Sequence, residues 1–339
     1  MNIAINGFGR IGRVFFRQAF GRNNFNIVAI NDLSDPQNLL YLLKYDSVYG
    51  RYEKELILKE NKFLIEDKEV LIFSEKDPAN LPWKDLNIDL VVESTGFFTN
   101  FEKAKAHILA GAKRVVITAP AKDEITYTFT PSLEKDLSKI FNMGEQGLIT
   151  SNASCTTNSV NPVIYIMMKR IGVKKAILTT IHAYTNTQSL VDSISKEKDF
   201  RRGRAGAFNI VPSTTGAAEA TVRVIPEMKG KFDGISIRIP VITGSLSDIT
   251  FITERKTTVD EINNIFKEEA QKPEWKDIIK VVEDQIVSSD IIKEPYGAII
   301  DLTLTKVVDG DLVKVFSWYD NEWGYCAMLI KHIEKIFSL

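Results

Sequence analysis

Short apolar runs and helix-period segments take turns along the first half of the chain. Ile3 to Ile5 reads as a buried strand, Ile11 to Phe20 as a helix and Ile27 to Ile30 as a second strand. Asp35-Pro36 is a helix start, a capping side chain followed by proline at the first helical position, and it leads into Leu39, Leu40 and Leu43. Residues 52 to 74 read as short antiparallel strands broken by the polar turns KENK and EDKE. Ile88 to Val92 is a further strand, Phe101 to Ala110 a helix stopped by Gly111, and Arg114 to Thr118 a strand. Strands that alternate with helices pair in parallel, because each helix carries the chain back across the sheet. This half therefore predicts an α/β, doubly wound parallel sheet.

The pattern changes near residue 155. Residues 176–184, 235–241, 248–254, 298–305 and 312–319 read as longer strands, and Asp309-Gly310 between the last two is a hairpin signal. Thr258 to Glu261 has the form of a capping box for a helix carrying Ile262, Ile265 and Phe266, which stops before Pro273. Trp323 to Phe337 reads as an amphipathic helix. Val160, Ile164, Met167, Met168 and Ile171 mark another helix, beginning at or near Cys155. Pro162 is comfortable only in a first turn, so that helix is expected to start late or to kink there. The second half is expected to be an α+β domain with a mostly antiparallel sheet. The boundary falls just before Cys155, giving domains 1–154 and 155–320.

Composition narrows the classes of function. A chain of 339 residues is long enough for two domains with real cores. Its 44% hydrophobic and 26% charged residues are the balance of a globular protein, and a net charge of −1 gives no basic field to draw nucleic acid or an anionic membrane. No apolar run approaches the ~20 residues of a membrane span. The chain opens directly on the strand-like MNIAIN and ends in IFSL, which is not a peroxisomal signal, so a cytoplasmic location is expected. The two cysteines, Cys155 and Cys326, form neither a disulfide framework nor a zinc pattern. No metal is expected, and a reducing compartment leaves Cys155 a thiol.

Gly7-Phe8-Gly9-Arg10-Ile11-Gly12 is GxGxxG, weak alone but here set between a strand and a helix, with Asp32 closing the next strand. Gly7 permits a tight turn, Gly9 lets backbone approach a pyrophosphate and Gly12 lets helix and strand pack closely. That is a Rossmann-type dinucleotide signature, with the pyrophosphate on the helix N-terminus. Asp32 would accept from both ribose hydroxyls and repel a 2′-phosphate, favouring NAD over NADP; a turn or helix cap is its other reading. Thr95 and Gly96 of Ser94-Thr95-Gly96 fall at the carboxyl edge of the same sheet and are candidate cofactor contacts, with a plain polar turn as the alternative; Thr118, the last residue of its strand, is a further candidate.

Cys155 stands in SNASCTTN, among small and hydroxylic residues at a helix start, where backbone N–H groups and the helix dipole lower a thiol pKa. It reads as a nucleophile, against an ordinary buried cysteine. His182 ends a strand beside the polar loop from Ala183 to Gln188 and is a candidate general base, against a hydrogen-bonded core histidine. His107 and His332 read as partly exposed helix residues. In Ile235-Ser236-Ile237-Arg238-Ile239, alternation puts the isoleucines on one face and Arg238 on the other. Arg202 lies in the charge-dense stretch from Lys196 to Arg204, by default a solvated loop. Arginine with threonine makes a phosphate site, and Thr156, Thr185 and Thr215 are possible partners.

These residues together give a pattern. INGFGRIGR, ESTG, SNASCTTN, the loop from His182 through Gln188, RRGRA, PSTTGAA, the Arg238 strand and WYDNEWGY occur in this order. By them the chain resembles the phosphorylating glyceraldehyde-3-phosphate dehydrogenases along nearly its whole length. The resemblance implies NAD as cofactor, glyceraldehyde 3-phosphate and inorganic phosphate as partners, and a homotetramer. It implies Cys155 as nucleophile, His182 as base, Arg10 and Ile11 on the pyrophosphate, Asp32 on the adenosine ribose and Asn321 on the nicotinamide carboxamide. It assigns Thr185 and Arg238 to the substrate phosphate, and Ser154, Thr156, Thr215 and Gly216, with Arg202 beside them, to inorganic phosphate. It also implies that the terminal helix, 321–339, returns to complete the first domain. Residues 125 to 148 depart from the family's usual sequence, and Ser159 stands where many members have a second cysteine. Thr185 and Thr215-Gly216 are kept where the related erythrose-4-phosphate dehydrogenases differ. The alternatives are a related phosphosugar-aldehyde dehydrogenase or a non-catalytic nucleotide- or RNA-binding protein.

Overall fold

A computed structural model of the chain describes residues 1–131, 133, 140, 142–195 and 199–337. Part of the divergent 125–148 segment, and Lys196, Glu197 and Lys198 of the charge-dense stretch, lie outside the described residues. The chain forms two compact units. Met1–Phe129, the segment ending at Ala153 and the residues from Leu329 onward make the first; Ser154–Met328, with Thr130, makes the second. The return to the first unit thus starts at Leu329 and not at 321, because Ala327 and Met328 belong to the second unit's core. No described helix is long and apolar enough to cross a membrane.

In the first unit nine strands form one sheet, in the order Leu56–Lys59, Lys62–Ile65, Lys68–Phe73, Asn26–Asn31, Asn2–Asn6, Leu90–Glu93, Arg114–Ile117, Ile149–Ser151, Tyr127–Thr128. From Lys68–Phe73 onward every pairing is parallel; the first two pairings are antiparallel. The strands are continuous apolar runs because helices cover a parallel sheet on both faces. Ala4, Ala29, Val91 and Val115 fill one of its cores with Trp83 and Phe101. Strand order reverses at Asn2–Asn6, flanked by Asn26–Asn31 and Leu90–Glu93, and the carboxyl ends there open a crevice.

The second unit carries seven strands, in the order Val211–Thr214, Phe232–Ile239, Val173–Ala183, Ser245–Thr253, Leu312–Tyr319, Ala298–Val308, Ile279–Val282. Four pairings are antiparallel and two, Val173–Ala183 with Phe232–Ile239 and Ile279–Val282 with Ala298–Val308, are parallel. Asp309 (φ 47°) and Gly310 (φ 81°) make the expected hairpin turn. Thr258 accepts from the Glu261 amide as a cap, but the Glu261 carboxylate turns to Arg255 and Thr257, so only half of the capping box forms.

Three sequence expectations change. The helix after SNAS starts at Cys155 itself and runs to Arg170 with Pro162 inside it, which removes the late start from the two expectations for that proline. In the strand Phe232–Ile239, whose orientation the alternation left open, Ser236 is buried, Ile235 is exposed and Ile237 and Ile239 are half-buried. His107 and His332, expected at the helix surface, are both fully buried. His107 follows Phe101 and Ala104 at intervals of three, on the buried stripe of its helix. His332 stacks on Phe129 at 3.8 Å, with Nε2 2.8 Å from Thr150 Oγ1 and Nδ1 3.2 Å from Asn152 Oδ1. Burial pushes its pKa down to about 3.

Candidate active site

Ser154 caps the helix Cys155–Arg170: its hydroxyl accepts the Thr157 amide at 3.1 Å. The cap puts Cys155 at the first helical position, where amide groups face outward. Cys155 Sγ lies 3.4 Å from His182 Nε2. His182 comes from the carboxyl end of Val173–Ala183, next to Arg238 in the parallel register with Phe232–Ile239. Sheet pairing therefore fixes base and arginine side by side, with Arg238 Nη1 2.7 Å from His182 Nδ1.

The same Nδ1 lies 2.7 Å from the Ala183 carbonyl, which Arg238 Nη1 also reaches at 3.1 Å. The two contacts require opposite proton states. A proton on Nδ1 donates to Ala183 and leaves Nε2 basic toward the sulfur. A bare Nδ1 accepts from Arg238 and turns the N–H to the sulfur.

Burial first, then the Arg238 charge and that of Arg202, push the His182 pKa down to about 3, while the Ala183 contact opposes them. Burial also pushes the Cys155 thiol up, against the charge of Arg238 and hydrogen bonds from Thr156 and from the cysteine's own amide. The lowering expected from the helix start is thus present but outweighed by burial. Burial thus opposes charge on both partners, while Arg238 favours the thiolate and disfavours the imidazolium.

Around this pair the structure gathers some of the proposed phosphate ligands. Arg202 donates through Nε to Ser213 at 2.8 Å and through Nη2 to the Thr214 carbonyl at 3.3 Å, directly before Thr215 and Gly216. Thr215 receives the Ala217 amide at 3.2 Å. Thr185 sits in the loop after His182, its hydroxyl 2.9 Å from that of Thr187. The Thr156 hydroxyl turns inward, 2.9 Å from the Tyr319 hydroxyl, which lies 2.7 Å from Thr180. Tyr319 packs edge-on against the His182 ring, centroids 6.0 Å apart. Tyr319 and Thr180 escaped the sequence reading, although the strand alternation that buries Tyr319 was available. Asn321 is buried, and its carbonyl takes the Gly244 amide at 3.1 Å and the Ser245 and Thr243 hydroxyls. Three donors fix that side-chain amide.

In the first unit, a cavity of about 470 Å³ opens at the reversal of strand order, lined by Gly7, Gly9, Asp32, Leu33, Thr95 and Phe97 among others. Gly7 holds φ 92°, and a Cβ there would meet the Thr95 amide at 2.7 Å. A Cβ on Gly12 would lie 2.2 Å from the Gly7 carbonyl, whereas Gly9 faces open space. No side chain caps the helix that begins at Arg10. Arg10 pairs with Asp46, so its guanidinium is committed and its contribution to an anion at the helix start is backbone. Asp32 accepts the Phe8 amide at 2.7 Å and the Ser34 amide at 2.9 Å, which fixes the carboxylate at the cavity wall. Both polar groups of Thr95 turn inward to Glu93, and Thr118 donates its amide and hydroxyl to the Glu93 carbonyl. An open glycine, an uncapped helix start and a fixed carboxylate fit a dinucleotide.

Comparison with known proteins agrees with this geometry. Residues 1–101 match the family description "Glyceraldehyde 3-phosphate dehydrogenase, NAD binding domain", and residues 154–321 match its C-terminal domain. Among similar proteins named glyceraldehyde-3-phosphate dehydrogenase, that of Clostridium pasteurianum is 45% identical over 98% of this chain and 97% of its own. That of Thermotoga maritima is 46% identical over 99% of each, and that of Borreliella burgdorferi 43% identical over 99% of each.

Proposed function

The chain belongs to the glyceraldehyde-3-phosphate dehydrogenase family, and from that premise we propose that it oxidises D-glyceraldehyde 3-phosphate and captures the acyl group with inorganic phosphate, giving 1,3-bisphosphoglycerate. The observation that carries this reading is the 3.4 Å contact between Cys155 Sγ and His182 Nε2 at a helix N-terminus, with Arg238 against the imidazole.

Cys155 passes its proton to His182 Nε2 and its sulfur adds to the aldehyde carbon. The imidazolium returns that proton to the carbonyl oxygen, giving a thiohemiacetal. His182 then takes the hydroxyl proton as the carbon–hydrogen bond breaks, leaving a thioester on Cys155. NAD supplies the hydride acceptor; Gly7, Gly9, the helix start at Arg10 and Ile11, Asp32, and the Thr95, Gly96 and Thr118 backbone would hold it, with Asn321 on the carboxamide. Phosphate oxygen attacks the thioester carbon and the Cys155 thiolate departs. General-base help of this kind is worth about 10²–10⁴-fold.

Arg238 and Thr185 take the substrate phosphate in this reading. A dianion on Arg238 offsets the charge that depresses His182 and draws the guanidinium off Nδ1, which favours the proton on Nδ1 and a basic Nε2. Ser154, Thr156, Thr215 and Gly216, with Arg202 alongside, take inorganic phosphate. A free, reduced Cys155 suits a cytoplasmic enzyme.

The outward Ile177 and Ile235 on adjacent strands, 59% and 51% exposed, and the exposed Leu190, Ile194, Phe200 and Phe208 support a homotetramer. The direct test of activity is NAD reduction with glyceraldehyde 3-phosphate, with and without inorganic phosphate. Sustained turnover only with phosphate is expected; equal turnover without it, or a higher kcat/KM for erythrose 4-phosphate, would replace this reading.

A further inference from the structure

One buried carboxylate in the first unit ties together the two loops that line the cofactor cavity. Glu93 ends the strand Leu90–Glu93 and is 1% exposed. Its Oε1 accepts the Thr95 amide at 2.8 Å and the Thr95 hydroxyl. That hydroxyl donates to Glu93 while its oxygen accepts the Phe97 amide at 3.1 Å. Ser94 Oγ donates to the Gly7 carbonyl at 2.6 Å, and Gly96 holds φ 77°. The turn from Ser94 to Phe97 is thus fastened to Glu93 on one side and to the glycine turn on the other.

Proton positions behind Glu93 follow from the two ends of the network. The Trp83 indole can only donate, and it points at His107 Nδ1, 3.1 Å away. Nδ1 therefore carries a lone pair, and the neutral ring's proton sits on Nε2, 3.0 Å from Glu93 Oε2. At the other end the Glu75 amide donates to Asn31 Oδ1 at 2.8 Å. Asn31 Nδ2 is then the group facing Asn6 Oδ1 at 2.7 Å, and Asn6 Nδ2 the group facing Glu93 Oε2 at 2.6 Å. Asn6 Nδ2 and His107 Nε2, 3.3 Å apart, are two donors converging on one oxygen. Glu93 thus receives four hydrogen bonds and gives none. Among the described residues its one partner of ionisable type is His107, which this geometry keeps neutral. A buried carboxylate without a cation depends wholly on such donors.

We propose that His107 is a positioning residue for the dinucleotide. Its Nε2–H, oriented by Trp83, holds Glu93 as the anion that clamps Thr95 to Phe97 against the glycine turn in the shape the cavity needs. The inference rests on the reading of this cavity as the NAD site. Asn6, Asn31 and Thr95 are at once members of the network and part of the cavity wall. Loss of one donor to a buried charge therefore reaches the cofactor without any direct contact from His107.

The test is calorimetric titration of NAD into the full-length wild type, H107L, H107Q and W83F, with KM values for NAD and for glyceraldehyde 3-phosphate measured alongside. Losing a hydrogen bond to a charged group is expected to weaken NAD about ten-fold in H107L and to raise its KM for NAD well beyond any change in KM for the aldehyde. H107Q offers Glu93 a donor and Trp83 an acceptor, and should return to within about three-fold of wild type. NAD affinity in H107L equal to wild type, or H107Q as weak as H107L, would overturn the proposal while leaving the cavity assignment intact. If H107L does not fold, W83F decides: it removes only the indole donor and should weaken NAD about three-fold, and unchanged affinity overturns the proposal. Failure of the wild type to bind NAD at all would remove the cavity reading and this inference with it.

Discussion

At the scale of single residues, chemistry concentrates on a few contacts. Cys155 and His182 are 3.4 Å apart, and burial opposes charge on both. Replacing His182 with Asn should lower kcat by about 10²–10⁴-fold and leave NAD affinity within about two-fold. Steady-state kinetics paired with NAD titration check this, and a parallel loss of NAD binding would mean that the imidazole serves the fold and not the reaction. Much of this site was legible in the chain. SNASCTTN and the strand ending at His182 carry their own chemistry, and sheet register brings Arg238 alongside. What stayed hidden was the environment. Spacing put His107 on a helix stripe with Phe101 and Ala104, but only tertiary neighbours show that Glu93 and Trp83 wait there. The Cys155 thiol likewise follows its burial more than the helix start that the sequence displays.

Elements place these residues, and their junctions are where substitutions should tell. The first βα turn is built on a clash-free approach: a Cβ on Gly12 would lie 2.2 Å from the Gly7 carbonyl. Gly12→Ala should therefore push the helix Arg10–Ala19 off its strand and raise the NAD Kd by at least about ten-fold, while Cys155 still reacts with iodoacetamide at the wild-type rate. Unchanged NAD affinity would show that the turn has slack the packing does not reveal. At the other helix start, Ser154→Ala removes the hydroxyl that accepts the Thr157 amide and should cost about 1 kcal/mol in chemical denaturation. Alternating strands and helices were readable because a buried parallel strand is a continuous apolar run. The helix starts at Cys155 and continues through Pro162 because packing of Val160, Val163, Ile164 and Met167 into the second core outweighs one missing backbone hydrogen bond.

For the whole molecule, both units store an acid sensitivity. His182 in the second unit and His332 in the first are buried with their pKa values pushed from 6.5 to about 3. The unfolded chain then binds more protons than the folded one between those values. Stability should be full above pH 6.5 and fall as pH drops toward 3. Thermal melts should show Tm lower by several degrees at pH 4 than at pH 7, with a shallower fall in His332→Leu. A Tm flat across that window would contradict the burial of both rings. If the proposed homotetramer forms, sedimentation should give four times the 38.2 kDa chain mass, and charged substitutions at the exposed Ile177 and Ile235 should lower it. The most direct test of the central claim, acyl transfer through Cys155, is rapid-quench mixing of the enzyme with NAD and glyceraldehyde 3-phosphate without phosphate. A burst of one NADH per active site, followed by near arrest, is predicted. Peptide mapping should place the phosphoglyceryl thioester on Cys155, and added phosphate should discharge it and restore turnover. Steady NADH production with no burst, or an adduct on any residue other than Cys155, would contradict the account.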